Sequence, residues 1–411
     1  MENRSLTIKD IIIVLCCVLL MATTMGIVNL VLSIFYPLVS LDLGVSRASF
    51  SLTGTITAIS AMVASLFWGI HYSKRSLQTG MVICILVFGV SFFGMQTAKT
   101  LYHFYALALV IGISYGGISI IPVSIIITRH FTSKTGLAIS AALAGSGLGA
   151  MVLNPIINTM INNAGWRVGY QLLAVVVFTI MLPCAVLVTH LTKDETQISQ
   201  TPGKDATKSQ GESLYKQAWL WAFLSGAFLS GFTGGAVLAN LPTYLNDLDF
   251  SVGRVSIVTS AYSASLVLGK FVLGFLYDRL GAKAATTTAA LLMALSLALM
   301  MVIKLPVMLI LMLISIGIGL AIGTVSITWL ANYFFGKEEY SKYYGSVQFA
   351  NCFGIAAGVP VIASALENLG NTKLLWFGLS LVSVVMMFLF MKSIHGNQKE
   401  KASLIRSTIE S

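Results

Sequence analysis

Lys270 lies inside the apolar run VTSAYSASLVLGKFVLGFLY (258–277), which closes on the polar cluster Asp278-Arg279-Leu280-Gly281. An ammonium group in such a run can hold a carboxylate. Thr259, Ser263, Lys270, Gly274 and Tyr277 fall on one helical face at offsets of three, four and seven residues. A lysine near the middle of a membrane span costs on the order of 2.5–3.5 kcal/mol on insertion scales, so its presence needs a reason. Three are open. The amine snorkels to the headgroups, it joins a fixed internal ion pair, or it faces a cavity and meets an anion from solution. No Asp or Glu stands at the middle of any span. Intramembrane ionisable residues are functional by default, which favours the third.

Neutral hydrogen-bonding groups on other apolar runs fit the same chemistry, because a carboxylate takes the ammonium on one oxygen and hydroxyl or amide donors on the other. Candidates are Asn29, Ser33 and Tyr36; Tyr115 and Ser119; Thr233, Asn240 and Tyr244; Thr324, Thr328 and Asn332 beside Trp329; and Tyr344, Gln348 and Asn351. For each, a hydrogen bond between helices is the competing reading. Asn29, Asn240 and Asn351 stand out because a buried amide is costly unless paired. From these groups the expected binding set is Lys270, Asn29, Tyr36, Tyr115, Asn240, Ser263, Thr328, Asn332, Gln348 and Asn351. Arg129, His130 and Lys134 flank a loop and read as charges anchoring a span end. His103 lies near a span end and His71 beside a loop, where solvation suffices.

Other chemistries find little support. The five cysteines, Cys16, Cys17, Cys84, Cys184 and Cys352, all lie in apolar runs without a C-x-x-C pair, so they read as small buried hydrophobes rather than as metal ligands or disulfides. GSGLG (145–149) and SIGIGLAIG (315–323) imitate phosphate-binding patterns, but neither follows a strand. They suit close helix packing. No catalytic triad, zinc spacing or P-loop is present, so neither an enzyme nor a cofactor is expected.

The elements that must carry these groups are membrane helices. The chain of 411 residues is 56% hydrophobic and only 10% charged, with a mean hydropathy of +0.87. Soluble domains are about a quarter charged. Twelve spans of about 20 apolar residues fit, at roughly 11–38, 48–71, 78–98, 101–128, 134–161, 168–191, 217–244, 254–277, 283–303, 305–335, 342–365 and 372–392. The first reads as a retained helix, not a cleaved signal. Residues 193–216, polar and rich in Ser, Thr, Gln and Gly, read as a linker. The expected organisation is a six-helix bundle over 1–192, the linker 193–216, a second bundle over 217–392 and a tail over 393–411. With both termini on the cytoplasmic side, 18 of the 25 Lys and Arg fall on that side, six fall outside and Lys270 remains. The net charge of +10 is then topological and gives no reason to expect nucleic-acid binding.

The halves repeat. LDLGVSRASFSL (41–52) matches LDFSVGRVSIVT (248–259), and SKTGLAISAALAGSGLG (133–149) matches SKYYGSVQFANCFGIAAG (341–358), about 207–209 residues apart. Two parallel six-helix repeats are a transporter pattern with a site near mid-membrane. GFLYDRLGAK (274–283) resembles the loop motif G-x-x-x-D-R-x-G-R-[RK] of the major facilitator superfamily, with Ala282 where Arg is usual. Its first copy, GIHYSKRSLQ (69–78), is degenerate, with Ser73 in place of Asp. SKTGLAISAALAGSGLGA is similar to the run that opens the fifth helix of monocarboxylate transporters and oxalate:formate antiporters. FYPLVSLDLGVSRASFSLTGTI is similar to their first-to-second helix segment.

The resemblance implies an all-α membrane protein with the major facilitator fold, twelve transmembrane helices in two pseudo-symmetric bundles. It implies a gating role for Gly274, Asp278, Arg279 and Gly281. In that group an arginine precedes the motif's first glycine by four residues, and Lys270 stands there. A helix-eleven lysine of oxalate carriers corresponds to Asn351. The lysine that animal monocarboxylate carriers place at the end of helix one is replaced by Tyr36-Pro37. The expected protein is a monomeric secondary transporter of a small organic anion, a monocarboxylate first, in the cytoplasmic membrane. A proton or counter-anion is its expected coupling partner. Efflux of an amphipathic drug or other metabolite, and a transporter-like sensor that binds without carrying, are the alternatives.

Overall fold

The computed structural model describes residues 7–131, 134–192, 214–368 and 372–410. Most of the 193–216 linker lies outside them, and Leu214–Lys216 forms one 3₁₀ turn. Among the described residues every regular element is helical. The helices are α1 (Ile8–Asp42), α2 (Arg47–Lys74), α3 (Leu77–Thr97), α4 (Leu101–His130), α5 (Thr135–Ala164), α6 (Trp166–Leu191), α7 (Ala218–Asp247), α8 (Val252–Leu299), α9 (Pro306–Lys337), α10 (Glu339–Leu366) and α11 (Thr372–Glu410). All eleven contain a stretch apolar and long enough to cross a membrane. α8 bends at Gly281, where φ is +74°, so it supplies two passes and the count of twelve is met. Gly336, at φ +61°, makes the corresponding turn from α9 into α10. A side chain at such φ values is strained.

Local chemistry explains where the helices start and bend. Ser46, Ser76, Thr100 and Ser251 each accept a backbone N–H of the following first turn, the usual role of a hydroxyl N-cap. Thr7 and Asp10 form a reciprocal capping box at the start of α1. The repeat is not copied atom for atom. Before α2 the turn uses Gly44 at φ +65°, and before α8 it uses Asp249 at φ +63°. α4 breaks at Ser119 (φ −86°, ψ −127°), three residues before Pro122. That ring clashes with the carbonyl four residues back and lacks a donor for it. α1 and α6 each contain one π turn, at Ile27–Val31 and Val177–Met181.

The chain packs as two units, Met1–Thr201 with Lys337–Phe349, and Pro202–Gly336 with Ala350–Ser411. The boundary differs from an even split, because Lys337–Phe349 joins the first unit. There Arg129 Nη2 donates to Ser341 Oγ at 3.2 Å, Lys337 Nζ donates to the Arg129 carbonyl at 2.6 Å and Ser65 Oγ donates to the Gly345 carbonyl at 3.3 Å.

In the second unit a core of Val237, Leu241, Met293, Leu297, Ile316 and Trp376 lies among α7, α8, α9 and α11. Residues 393–410 of the tail continue α11 instead of leaving it. Lys401 Nζ donates to the Tyr333 carbonyl at 2.9 Å, Gln398 Nε2 donates to the Tyr333 hydroxyl at 3.0 Å, and Trp219 Nε1 donates to Glu400. Ile394 is fully buried. Ile394→Ala is therefore expected to destabilise the second unit by about 2–4 kcal/mol, read as a lower midpoint in thermal unfolding of the purified protein.

Candidate functional site

In the second unit the residues of the α8 stripe differ in burial. Ser263 is exposed, and its hydroxyl bonds back to the Thr259 carbonyl at 3.0 Å. Lys270 is only 7% exposed, although it sits in a span. Gly274 and Tyr277 are buried below it. The backbone beside Lys270 is held by close contact. A Cβ on Gly269 would fall under 3.0 Å from the Gly317 backbone, and one on Gly317 would meet Ser265 equally closely. Ser265 also donates to the Leu313 carbonyl. Only helices with small residues at the contact approach this closely, and the approach fixes the direction in which Lys270 leaves the helix.

One and two turns beyond Lys270 the site becomes aromatic. Tyr277 stacks on Trp329 at 4.6 Å between centroids, and Trp329 stacks on Tyr333 at 5.6 Å. The Tyr277 hydroxyl shares a 2.8 Å hydrogen bond with Thr286. Thr328, next to Trp329, is buried and donates to the Thr324 carbonyl at 2.7 Å. Asn332 is half-buried one turn further on. Lys270, these hydroxyls and these rings all belong to the second unit.

Asn240 and Asn351 behave differently from the expectation. Asn240 Nδ2 donates to the carbonyls of Ala236 at 2.9 Å and Val359 at 3.4 Å. Asn351 Nδ2 donates to the Ala227 carbonyl at 3.2 Å and to Ser230 Oγ at 3.1 Å. Both side chains are buried, at 6% and 3% exposure. Their amides fasten α10 to α7, because a buried amide takes the nearest available carbonyl.

The motif residues sit at the bend. Asp278 and Arg279 are exposed, and the guanidinium lies 4.7 Å from the Phe275 ring centroid. Gly281 supplies the positive φ that turns the chain.

In the first unit Asn29 sits inside the α1 π turn and is exposed, and its Nδ2 donates to the Tyr115 hydroxyl at 3.4 Å. Helical irregularities of this type are frequent at functional positions. Ser33, one turn on, is also exposed. Tyr36 is half-buried, with its hydroxyl in space that a Cβ on Gly54 would fill, and its ring meets Phe50 edge-on at 5.8 Å. Tyr36 packs against α2 while Asn29 and Tyr115 face each other. Gln348 is half-buried in the Lys337–Phe349 segment.

Several polar pairs escaped sequence reasoning. His130 Nε2 meets Asp10 Oδ1 at 2.6 Å. Asp42 accepts from Trp166 Nε1 and Arg167 Nη1, each at 3.1 Å. Arg129 is 7% exposed. Arg129 and His130 are therefore buried linking groups, not solvated anchors.

Comparison with known proteins agrees with this architecture. The family model of the Major Facilitator Superfamily matches residues 14–258 and 223–407. The uncharacterized MFS-type transporter YcxA of Bacillus subtilis (strain 168) is 25% identical over 240 residues, covering 58% of each chain. Human monocarboxylate transporter 12 is 23% identical over 197 residues, covering 46% of this chain and 36% of that protein. The matches thus span only about half or less of these relatives' length. Among solved structures, the human organic anion transporter MFSD10 (TETRAN) superposes with a TM-score of 0.71 at 14% identity, covering 94% of this chain and all of that one. The proton:xylose symporter XylE reaches 0.71 at 14% identity over 93% and 95%. These solved structures share the fold, and with the family model matching both halves this chain belongs to the Major Facilitator Superfamily.

Proposed function

We propose that the protein is a secondary transporter that moves a small organic anion, a monocarboxylate first, across the cytoplasmic membrane by alternating access, with both termini cytoplasmic. The observation that carries this reading is Lys270, a cation 7% exposed within a membrane span. Its burial argues against an amine that only snorkels to headgroups. The hydroxyls of Ser263 and Thr328 and the Tyr277–Trp329–Tyr333 stack, all in the same unit, are proposed to receive a carboxylate with a short apolar body. Asn332, in the same unit, is proposed as a further contact. Asp278, Arg279 and Gly281 are proposed to act in gating rather than in binding. The similarity to monocarboxylate transporter 12 supports the same substrate class.

The test is uptake of labelled acetate, pyruvate and L-lactate into proteoliposomes containing the full chain, against empty vesicles. Saturable uptake of at least one anion is expected, with no uptake of xylose and no extrusion of ethidium. Movement of ethidium alone would replace this reading with drug efflux. Movement of none of the probes would reject it.

A further inference from the structure

Asp10 and His130 are 120 residues apart in sequence and come from the start of α1 and the end of α4. Their facing atoms are 2.6 Å apart, and their side chains are 9% and 6% exposed. The second carboxylate oxygen of Asp10 accepts the Thr7 N–H at 2.8 Å, so the acid is fixed from two sides. The imidazole meets the Phe131 ring edge-on at 4.9 Å. A groove of about 320 Å³ runs beside the pair, lined by Asp10, Val14, Phe131, Lys134 and Ala138. Chain anchoring does not explain a buried acid–imidazole contact between two helices.

The surrounding charges are positive. Lys134 of α5 lines the groove with Asp10. Arg129 of α4 is buried, with Nη2 on Ser341 and with Nε and Nη1 lacking an acceptor among the described residues. Lys337 holds the Arg129 carbonyl at 2.6 Å, and Lys9 is exposed on α1 itself.

We propose that Asp10 and His130 form a proton-binding site that makes transport pH-dependent, an inference that rests on the transport reading above. A proton taken from solution settles on the imidazole. The link between α1 and α4 then becomes an ion pair in place of a hydrogen bond between a neutral ring and the carboxylate. When the proton leaves, a neutral imidazole faces the carboxylate and the start of α1 is held less firmly. Imidazole is the side chain whose charge ordinarily changes between pH 5 and 8, which suits this exchange. Acid tightens the contact and alkali loosens it.

The experiment has two arms, each on the full chain. In detergent, without cargo, hydrogen exchange of the peptide covering residues 7–20 is followed at pH 6 and pH 8 and corrected for intrinsic rates with an unstructured reference. Protection of the wild type is expected to fall about fivefold at the higher pH, and His130→Gln and Asp10→Asn are expected to remove that dependence. In proteoliposomes, exchange of labelled pyruvate, acetate or L-lactate at equal internal and external pH is expected to vary several-fold over the same range. In His130→Gln the profile should become flat. Wild-type protection that ignores pH, or that falls equally in His130→Gln, overturns the proposal. So does a wild-type flux profile in His130→Gln, which would leave the pair a structural link only. Absence of flux for all three anions together with pH-dependent protection counts against the transport reading alone.

Discussion

Lys270→Ala is expected to abolish anion uptake, with a fall of about 30-fold or more in the uptake rate at low substrate, while Lys270→Arg retains part of it. Truncating one partner of a buried, hydrogen-bonded charge pair costs about 2–5 kcal/mol, and every 1.4 kcal/mol is a factor of ten. The alanine variant should still fold, because it removes a costly buried charge from a span. A single peak in size exclusion, with a melting midpoint at or above the wild type, checks this. Arginine keeps the charge, but its planar fork needs more room than an ammonium point charge. Gly269 packs against the Gly317 backbone one residue away and gives α8 little freedom to move aside. Uptake within about tenfold of wild type is the expected outcome for arginine. The reading of Lys270 as the anion's anchor fails if the alanine variant carries each transported anion at the wild-type rate.

The features legible in the sequence depend on periodicity or on a fixed backbone need. Twelve apolar stretches of spanning length could hardly be anything but helices. The bend at Gly281 was marked by a motif glycine whose φ of +74° few other residues accept. Polar side chains were less legible. The amide of Asn351 serves equally for a ligand or for a neighbouring carbonyl, and only three-dimensional packing shows that it takes Ala227 and Ser230. Asp10 and His130 are far apart in the first bundle's sequence, each at a span end where topology already accounts for a polar residue. Their contact has no local signal. The tail after Lys392 carries Lys399, Glu400, Lys401 and Arg406, and its polar composition gives no sign of docking. Extending an existing helix needs no new nucleus, however, and a few contacts, Ile394 and Trp219 to Glu400 among them, suffice to keep it docked.

Gly149→Val and Gly358→Val are each expected to prevent folding, although neither glycine belongs to the proposed binding set. Gly145 and Gly149 of α5 lie against Val18 and Ala22 of α1, and Gly354 and Gly358 of α10 lie against Phe228 and Phe232 of α7. In all four cases a Cβ would fall under 3.0 Å from backbone atoms of the partner helix. Overpacking against a side chain typically costs about 1–3 kcal/mol because that side chain rotates away. Backbone has no such escape, so the two helices must separate along their length and lose the close packing that drives association in lipid. A cost above about 4 kcal/mol places these changes among the exceptional substitutions. A methyl group added at Gly378 of α11 would meet nothing within 4 Å. Gly378→Ala is accordingly expected to be neutral or stabilising by up to about 1 kcal/mol through helix propensity. Fluorescence-detected size exclusion of membrane extracts separates the cases: the valine variants should lose the monodisperse peak and the alanine variant should keep it. The two valine sites occupy matching places in the internal repeat, so their effects should be similar in size. Normal yield from either one would mean that the close helix pair in that bundle is dispensable.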